Sequence, residues 1–414
     1  MEERVPEIRF EGFEGPWAKR ILKEIIREIT RTDSSSDAPV MMISANYGFI
    51  EQADRYAFNN AGDSLNRYIL LQRNELAYNH GASKIRPYGS CFALTTLDSA
   101  RVPFVYHCFS TEVQNAEFLS IELNGHNVES QLRRIVCSSA RMDGLLNISF
   151  EDYSSISVFL PSIEEQNLIA EYISRIDTII TLNQQKLDKL KTFKKSCLEK
   201  MFPKEGETMP EIRFQGFEGP WENKNLSELA TMHARIGWQN LRTSEFMDNG
   251  DYMLITGTDF EDGQINYSTC HYVKQERYDQ DKNIQVRNGS ILVTKDGTLG
   301  KVAFVQGLSI PATLNAGVFN IIIKDDVLVS NNYLFQYLKA PFLMEFVNKK
   351  ATGGTIKHLN QSLLVDFPVK IPSKKEQEKI GVYLNNLDRI IFLYKQKLDK
   401  LKSLKQACLE KMFV

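Results

Sequence analysis

The sequence predicts an α/β protein in which one structural unit is used twice, and three observations lead to that reading. A short motif recurs almost unchanged, a longer block with a helical apolar stripe recurs, and the stretches between them carry strand-like apolar runs. At 414 residues the chain exceeds what one hydrophobic core usually serves, so each copy is expected to fold around its own.

The short motif comes first. Pro6-Glu-Ile-Arg-Phe-Glu-Gly-Phe-Glu-Gly-Pro-Trp17 returns as Pro210-Glu-Ile-Arg-Phe-Gln-Gly-Phe-Glu-Gly-Pro-Trp221, an offset of 204 with a single substitution. The longer block, Pro161 to Phe202, returns as Pro372 to Phe413 at an offset of 211, with 24 of 42 positions identical. The stretches 18–160 and 222–371 hardly resemble each other. A shared framework around divergent inserts points to one job done on two targets, because plain drift after duplication blurs both alike.

The long block reads as a helix. Pro161-Ser162 and Pro372-Ser373 offer a capping hydroxyl, and the acidic residues that follow suit the positive end of the helix dipole. Steps of four and three then pick out Ile169, Ile173, Ile176, Ile180, Asn183, Leu187, Leu190, Lys194, Cys197 and Met201. The second copy repeats the register with Ile380, Leu384, Leu387, Ile391, Tyr394, Leu398, Leu401, Lys405, Cys408 and Met412. A period of 3.5 held this long marks a supercoiled seam about 60 Å in length, and the simplest partner for each stripe is the other. Asn183, Lys194 and Lys405 either fix the register of that seam or mark a frayed stretch. The exposed lysines of 185–191 and 396–402 are a solvated face or a contact surface.

The order of the blocks carries a geometric expectation. The first helix leads through Pro203 into the second motif, whereas the second helix leads nowhere and the first motif has no helix before it. If the units are related by a pseudo-two-fold axis, the termini lie close together. The reading divides the chain into a motif (1–17), a variable domain (18–160), a helix (161–202), a linker with the second motif (203–221), a second variable domain (222–371) and a second helix (372–414).

Together, the doubled Pro-Glu-Ile-Arg-Phe motif, the doubled Pro-Ser-x-x-Glu-Gln helix start and the doubled Leu-Asp-x-Leu-Lys…Glu-Lys-Met-Phe helix end resemble the specificity subunits of type I restriction-modification systems. The resemblance covers essentially the whole chain and implies two α/β target-recognition domains, each reading half of a bipartite double-stranded DNA site. It implies that the helices form an antiparallel coiled coil that sets the spacer, with two methyltransferase subunits docked against them and motor-endonuclease (restriction) subunits added for cleavage. It also implies that this chain is not itself an enzyme and holds no cofactor, S-adenosylmethionine, ATP and magnesium being expected in the partners. A coil of about 60 Å spans the 34 to 36 Å that separates half-sites on one face of a duplex.

Within the second domain, apolar runs at Tyr252–Thr256, Ser290–Thr294, Val302–Val305 and Val318–Ile323 predict strands, and 331–349 looks helical. The segment 294–302 is a glycine-hinged turn that either places Lys295, Thr298 and Lys301 in a groove or serves only as a hairpin. It is not a phosphate loop, because Lys295 stands where GxxxxGK[ST] needs glycine and Val302 follows the lysine. A second loop, 351–358, brings Thr355, Lys357 and His358 beside a glycine pair, and in the family a loop at this point approaches DNA. In the first domain, 78–86 falls where 294–302 does, offering Asn79, His80, Ser83, Lys84 and Arg86, while 138–144 offers Arg141. Asn suits adenine and Arg suits guanine in the major groove. The two histidines are equally phosphate, packing or base-contacting residues.

Composition narrows the field without deciding it. The net charge is −2, so any DNA surface must be a local gathering of Lys and Arg. With no apolar run near the roughly 18 residues of a membrane span and no leader-like start, the chain is expected in the cytoplasm. Six scattered cysteines without a CxxC pair argue against structural zinc and a disulfide framework. A fused methyltransferase-nuclease would need a (N/D)PP(Y/F) tetrad, and the chain has no Pro-Pro pair. A coiled-coil scaffold that binds no DNA is the other alternative, separated by salt-dependent duplex binding.

Overall fold

The repeated blocks form the longest elements. In the computed structural model, which describes residues 4–55, 62–136, 146–350 and 358–414, they are two 38-residue helices, Ile163–Lys200 and Lys374–Lys411. Ser162 Oγ accepts from the Glu165 amide at 3.3 Å, the expected cap. Of the predicted stripe, Ile169, Ile173, Ile176, Leu187, Ile380, Leu384, Leu387, Ile391 and Leu398 are buried, and Ile180, Leu190 and Leu401 are half-buried. The chain divides into two units, residues 1–182 with 398–414 and residues 183–397, so each long helix runs from one unit into the other.

The first unit contains strands β1 (Ala18–Ile21), β2 (Arg27–Glu28), β3 (Met41–Ser44), β4 (Gly48–Glu51), β5 (Ile69–Gln72), β6 (Leu76–Asn79), β7 (Ser90–Ala93), β8 (Ser99–Val102), β9 (His107–Ser110) and β10 (Ser157–Leu160). Its helices include α1 (Ala116–Leu123), α2 (His126–Ile135), α3 (Phe150–Ser154) and the start of α4 (Ile163–Lys200), besides a single turn at Gln52–Arg55. A four-stranded sheet runs β2-β9-β6-β7, β1 pairs antiparallel with β10, and β3-β4 and β5-β8 form two further pairs. One core packs that sheet, with Phe118 and Tyr153, against Ile169, Ile173 and Met412 of the long helices. A second lies among Ile43, Leu71, Leu94 and Val102.

The second unit repeats the plan with strands β11 (Glu222–Asn225), β12 (Ala230–His233), β13 (Tyr252–Ile255), β14 (Phe260–Glu261), β15 (Gln264–Ile265), β16 (His271–Val273), β17 (Gln285–Val286), β18 (Ile291–Thr294), β19 (Val302–Phe304), β20 (Ala312–Leu314), β21 (Val318–Ile323) and β22 (Pro368–Ile371). Its helices include α5 (Gln275–Asp279), α6 (Asn331–Lys339), α7 (Phe342–Lys350) and α8 (Lys374–Lys411), besides short ones at Leu226–Leu229 and Gln361–Val365. The sheet β12-β21-β18-β19 matches β2-β9-β6-β7 strand for strand, and β11-β22 matches β1-β10. A second sheet runs β16-β13-β20-β17. The helix expected over 331–349 is two helices. Ala340, ahead of Pro341, is extended at ψ 159, as the proline ring requires, and the missing N–H ends the ladder.

Each unit makes the same framework contacts. Arg9 clamps Glu165 with bonds of 2.7 and 2.8 Å, and Arg213 clamps Glu376 with two of 2.8 Å; both carboxylates are buried. These bidentate pairs explain the Arg of each motif and the Glu of each helix start. Gln166 and Gln377 each donate to the carbonyl of their own Pro, Pro161 or Pro372, at 3.0 Å. Trp17 meets Phe413 edge-on at 5.8 Å, and Trp221 meets Phe202 at 6.4 Å. The expected closeness of the termini is present: Ile8 N donates to Lys411 O at 2.9 Å, as Ile212 N does to Lys200 O at 2.9 Å.

Polar seam positions also have partners. Lys405 bonds Asp177 at 2.6 and 2.7 Å, and Lys194 bonds Asp388. At these two positions a residue of one long helix is bonded to a residue of the other.

Candidate nucleic-acid interface

The second unit builds its candidate edge at the end of β18. Thr294 is fully buried and organises the turn: its hydroxyl donates to Thr298 O and accepts from Lys301 N at 2.9 Å. Gly297 and Gly300 both sit at φ +72, and a Cβ at Gly300 would lie 2.1 Å from Met344 Sδ, so the turn requires glycine there. Thr298 and Lys301 are thereby exposed, while Lys295 is half-buried with Nζ 5.6 Å from the Phe319 ring. His358 Nδ1 lies 2.5 Å from Asp296 Oδ1, and Leu359 N donates to Lys295 O at 2.8 Å.

The structure thus brings Lys295, Thr298, Lys301 and His358 to one edge, and 294–302 is the glycine-hinged turn between β18 and β19. Sequence reading missed Asp296, whose half-buried carboxylate meets the His358 ring at this edge and is able to accept from an exposed cytosine amino group. Its signal was its place in the same Gly-hinged turn. Thr355 and Lys357 lie outside the described residues.

In the first unit the corresponding edge begins at the end of β6, and Leu146 N donates to His80 O at 2.9 Å, the counterpart of the Leu359 to Lys295 bond. Here the assignments need correcting. His80 is 7% exposed, with Nδ1 2.8 Å from Leu146 O and Nε2 2.7 Å from Val105 O, so it packs and cannot read a base. Asn79 uses its side chain on the Ile43 carbonyl at 3.3 Å and the Gly81 amide at 2.9 Å. Arg86 folds back to donate to Asn124 O at 2.7 Å, and burial pulls its guanidinium pKa down against the pull of Glu129. Ser83 Oγ takes the Arg86 amide at 3.0 Å and, with Lys84, stays exposed. Arg141 lies outside the described residues.

The physical reason for these corrections is that β6 is covered on both faces. Leu76, Ala77 and Tyr78 are all buried, and Asn79, His80 and Arg86 spend their polar atoms on groups of the same unit, whereas Ser83 and Lys84 between them stay exposed. Among the described residues, no three His, Cys, Asp or Glu side chains gather as a metal site requires. No described helix is long and apolar enough to cross a membrane.

Comparisons with known proteins agree with this layout. Residues 218–403 match the type I restriction modification DNA specificity domain. The chain is 22% identical over 278 residues to the type I restriction enzyme MjaVIII specificity subunit of Methanocaldococcus jannaschii, covering 65% of this chain and 64% of that one. It is 23% identical over 173 residues to the EcoR124I/EcoR124II specificity subunit of Escherichia coli, 42% of each. The aligned stretches therefore span less than two thirds of these relatives. In fold it is similar to a type I restriction-modification S subunit from M. genitalium, with a TM-score of 0.59 at 15% identity over 99% of both chains. A chain solved in a study of assembly and conformational transition of the type I R-M system gives 0.52 at 16% identity over 95% and 97%. By sequence over residues 218–403, and in fold over nearly the whole chain, the protein is similar to the specificity subunits of type I restriction-modification systems.

Proposed function

We propose that this chain is the DNA sequence-specificity subunit of a type I restriction-modification complex, each unit reading one half of a bipartite target. The observation that carries this reading is the pair of edges built at equivalent strand ends, β6 and β18, on one repeated framework but with different exposed side chains. Equal scaffolds with unequal edges are what two different half-sites call for.

In this reading the two units are related by a pseudo-two-fold axis and the long helices pair as an antiparallel coiled coil that fixes the spacer. The Lys405–Asp177 and Lys194–Asp388 pairs support it, since each joins the later half of one helix to the earlier half of the other. Two methyltransferase subunits dock on the outward faces of the helices. Those faces expose Ile179, Leu182 and Leu404 in the first unit and Phe193, Ile390 and Leu393 in the second, apolar surface that a solvated coil has no use for. Restriction subunits join for cleavage. S-adenosylmethionine, ATP and magnesium act in those partners, and the complex works in the cytoplasm.

The test is a domain exchange read by genome-wide mapping of methylated adenines. Replacing 222–371 with the equivalent part of a relative is expected to change one half-site and keep the other and the spacer. A change in both half-sites refutes the modular reading. Adding one or two turns within 186–191 is expected to shift the spacer or abolish methylation; an unchanged site refutes the ruler.

A further inference from the structure

Asp296 is an unexpected group on a surface that meets DNA. A duplex carries two rows of phosphates, and a carboxylate brought against it is repelled unless it meets a hydrogen-bond donor. Yet the fold holds this carboxylate in place. Lys295, just before it, is pinned on both sides, its amide donating to Gly317 O at 2.8 Å and its carbonyl taking the Leu359 amide at 2.8 Å. His358, just before Leu359, donates through Nδ1 to Asp296 Oδ1 at 2.5 Å. Among the described residues Oδ2 takes no hydrogen bond.

The backbone beside Asp296 leaves that oxygen open. Gly297 follows at φ +72 with no atom within 4 Å of where a Cβ would stand, and a Cβ at Gly317 would lie 3.8 Å from Oδ2. Both neighbours being glycines, neither covers the carboxylate with a side chain, and Asp296 keeps 40% of its side chain exposed. The carboxylate also stands in the turn that ends the β18–β19 ribbon, and a two-stranded ribbon is a shape that the major groove admits.

Chemistry then narrows what Asp296 meets there. An ionised carboxylate accepts and never donates, so the oxygens of the DNA backbone offer it nothing. The donors of the major groove are the amino groups of cytosine and adenine. Adenine sets its N7 acceptor beside N6, which suits an amide that both donates and accepts but turns a lone pair toward a carboxylate. Cytosine offers its amino group without an acceptor of its own base beside it. The first unit has no such group at this place. His80, whose carbonyl takes the Leu146 amide as that of Lys295 takes the Leu359 amide, is followed by Gly81.

We propose that Asp296, with His358 as its positioning residue, is a specificity-determining residue that accepts from the 4-amino group of a cytosine in the second unit's half-site. This rests on the DNA reading proposed above and assigns that reading one base pair.

The test uses the full chain together with its methyltransferase partners. Mapping of methylated adenines in cells is expected to show a C·G pair in the half-site that exchange of 222–371 alters. Asp296→Asn, which keeps the size and replaces an acceptor with a donor, is expected to lower methylation of sites with that pair by about tenfold relative to sites with A·T there, leaving the first half-site and the spacer unchanged. His358→Ala is expected to weaken the choice without changing the preferred base. A second measurement needs no variant. In duplex binding by the unsubstituted complex, N4-methylcytosine at that position keeps base pairing but caps the groove-facing hydrogen, and is expected to cost about tenfold, whereas the same base in the spacer costs nothing. A half-site with no C·G pair, a preference unaltered in Asp296→Asn, or full binding of the N4-methylcytosine duplex each overturns the role of Asp296 while leaving the function intact. No bipartite methylation by the unsubstituted chain overturns both.

Discussion

The two units agree where the chain must be held and differ where it faces outward. Arg9–Glu165 and Arg213–Glu376, the two Trp–Phe contacts and the two polar seam pairs match position by position. Away from this frame the units are braced differently. In the second, the excursion between β13 and β16 contains the hairpin β14-β15, whose tip residues Glu261 and Asp262 accept from Lys395 of α8 at 2.5 and 3.1 Å. In the first, β3 and β4 are joined by three residues, Tyr47 is 80% exposed, and a groove of about 1610 Å³ opens beside α1 and α4. The difference teaches that the shared scaffold ends at the first sheet of each unit and that everything beyond it was free to diverge.

The largest effect tests the sameness of the frame. Arg9→Ala and Arg213→Ala each leave a buried carboxylate unpaired, Glu165 at 0% and Glu376 at 1% exposure. Each is expected to cost about 3 to 5 kcal/mol in urea unfolding of the full chain. Near-equal losses sharpen the comparison. A silent Arg9→Ala beside a costly Arg213→Ala would break it.

Next in size is a difference between the units. Arg235 is 2% exposed and bonds only neutral acceptors: Leu314 O at 2.9 Å, Gln280 Oε1 at 3.0 Å, Thr313 Oγ1 at 3.2 Å and Arg277 O at 3.4 Å. It joins the end of β12 to β20 and to the residue after α5. Arg235→Met strands these acceptors and is expected to cost about 2 to 3 kcal/mol, with exchange rising at β20 and unchanged at β6. Equal loosening at β6 would mean that the units do not open independently.

Much of this was legible beforehand. The seam at a 3.5-residue period gave both long helices, and the four apolar runs became β13, β18, β19 and β21 because continuous burial writes continuous apolar sequence. The break at Pro341 was also written, as a proline inside an apolar period. The first unit's edge was not, since Asn79, His80 and Arg86 are polar by type and only packing tells that they turn inward. The partners of Lys194 and Lys405 escaped for another reason. Asp388 and Asp177 each sit one residue past a seam position, Leu387 and Ile176, where a heptad reading stops looking.

The smallest expected effect concerns those two lysines, whose settings differ. In the second unit Asp388 serves Lys194, Lys339 and Gln336, whereas in the first Asp177 bonds Lys405 on a half-exposed surface. Burial, followed by repulsion from Lys339, pushes Lys194 down to about 7 from an ordinary 10.5, against the pull of Asp388. Burial raises the Asp388 carboxyl, but Lys339 and Lys194 outweigh it and hold the group below its usual value. Because the folded value of Lys194 lies below the unfolded one, the unfolded chain binds more protons between about pH 7 and pH 10.5, and stability contributed by this group rises with pH across that window. Lys194→Met is therefore expected to change stability at pH 7 by no more than about 1 kcal/mol, since Lys339 still covers Asp388 and a methionine fills the seam. It is also expected to remove that rise between pH 7 and pH 9 in the difference from the unsubstituted chain, and Lys405→Met to leave it in place. If both substitutions remove the same slope, the two halves of the seam are electrostatically alike, and the contrast between the units is confined to their outward edges.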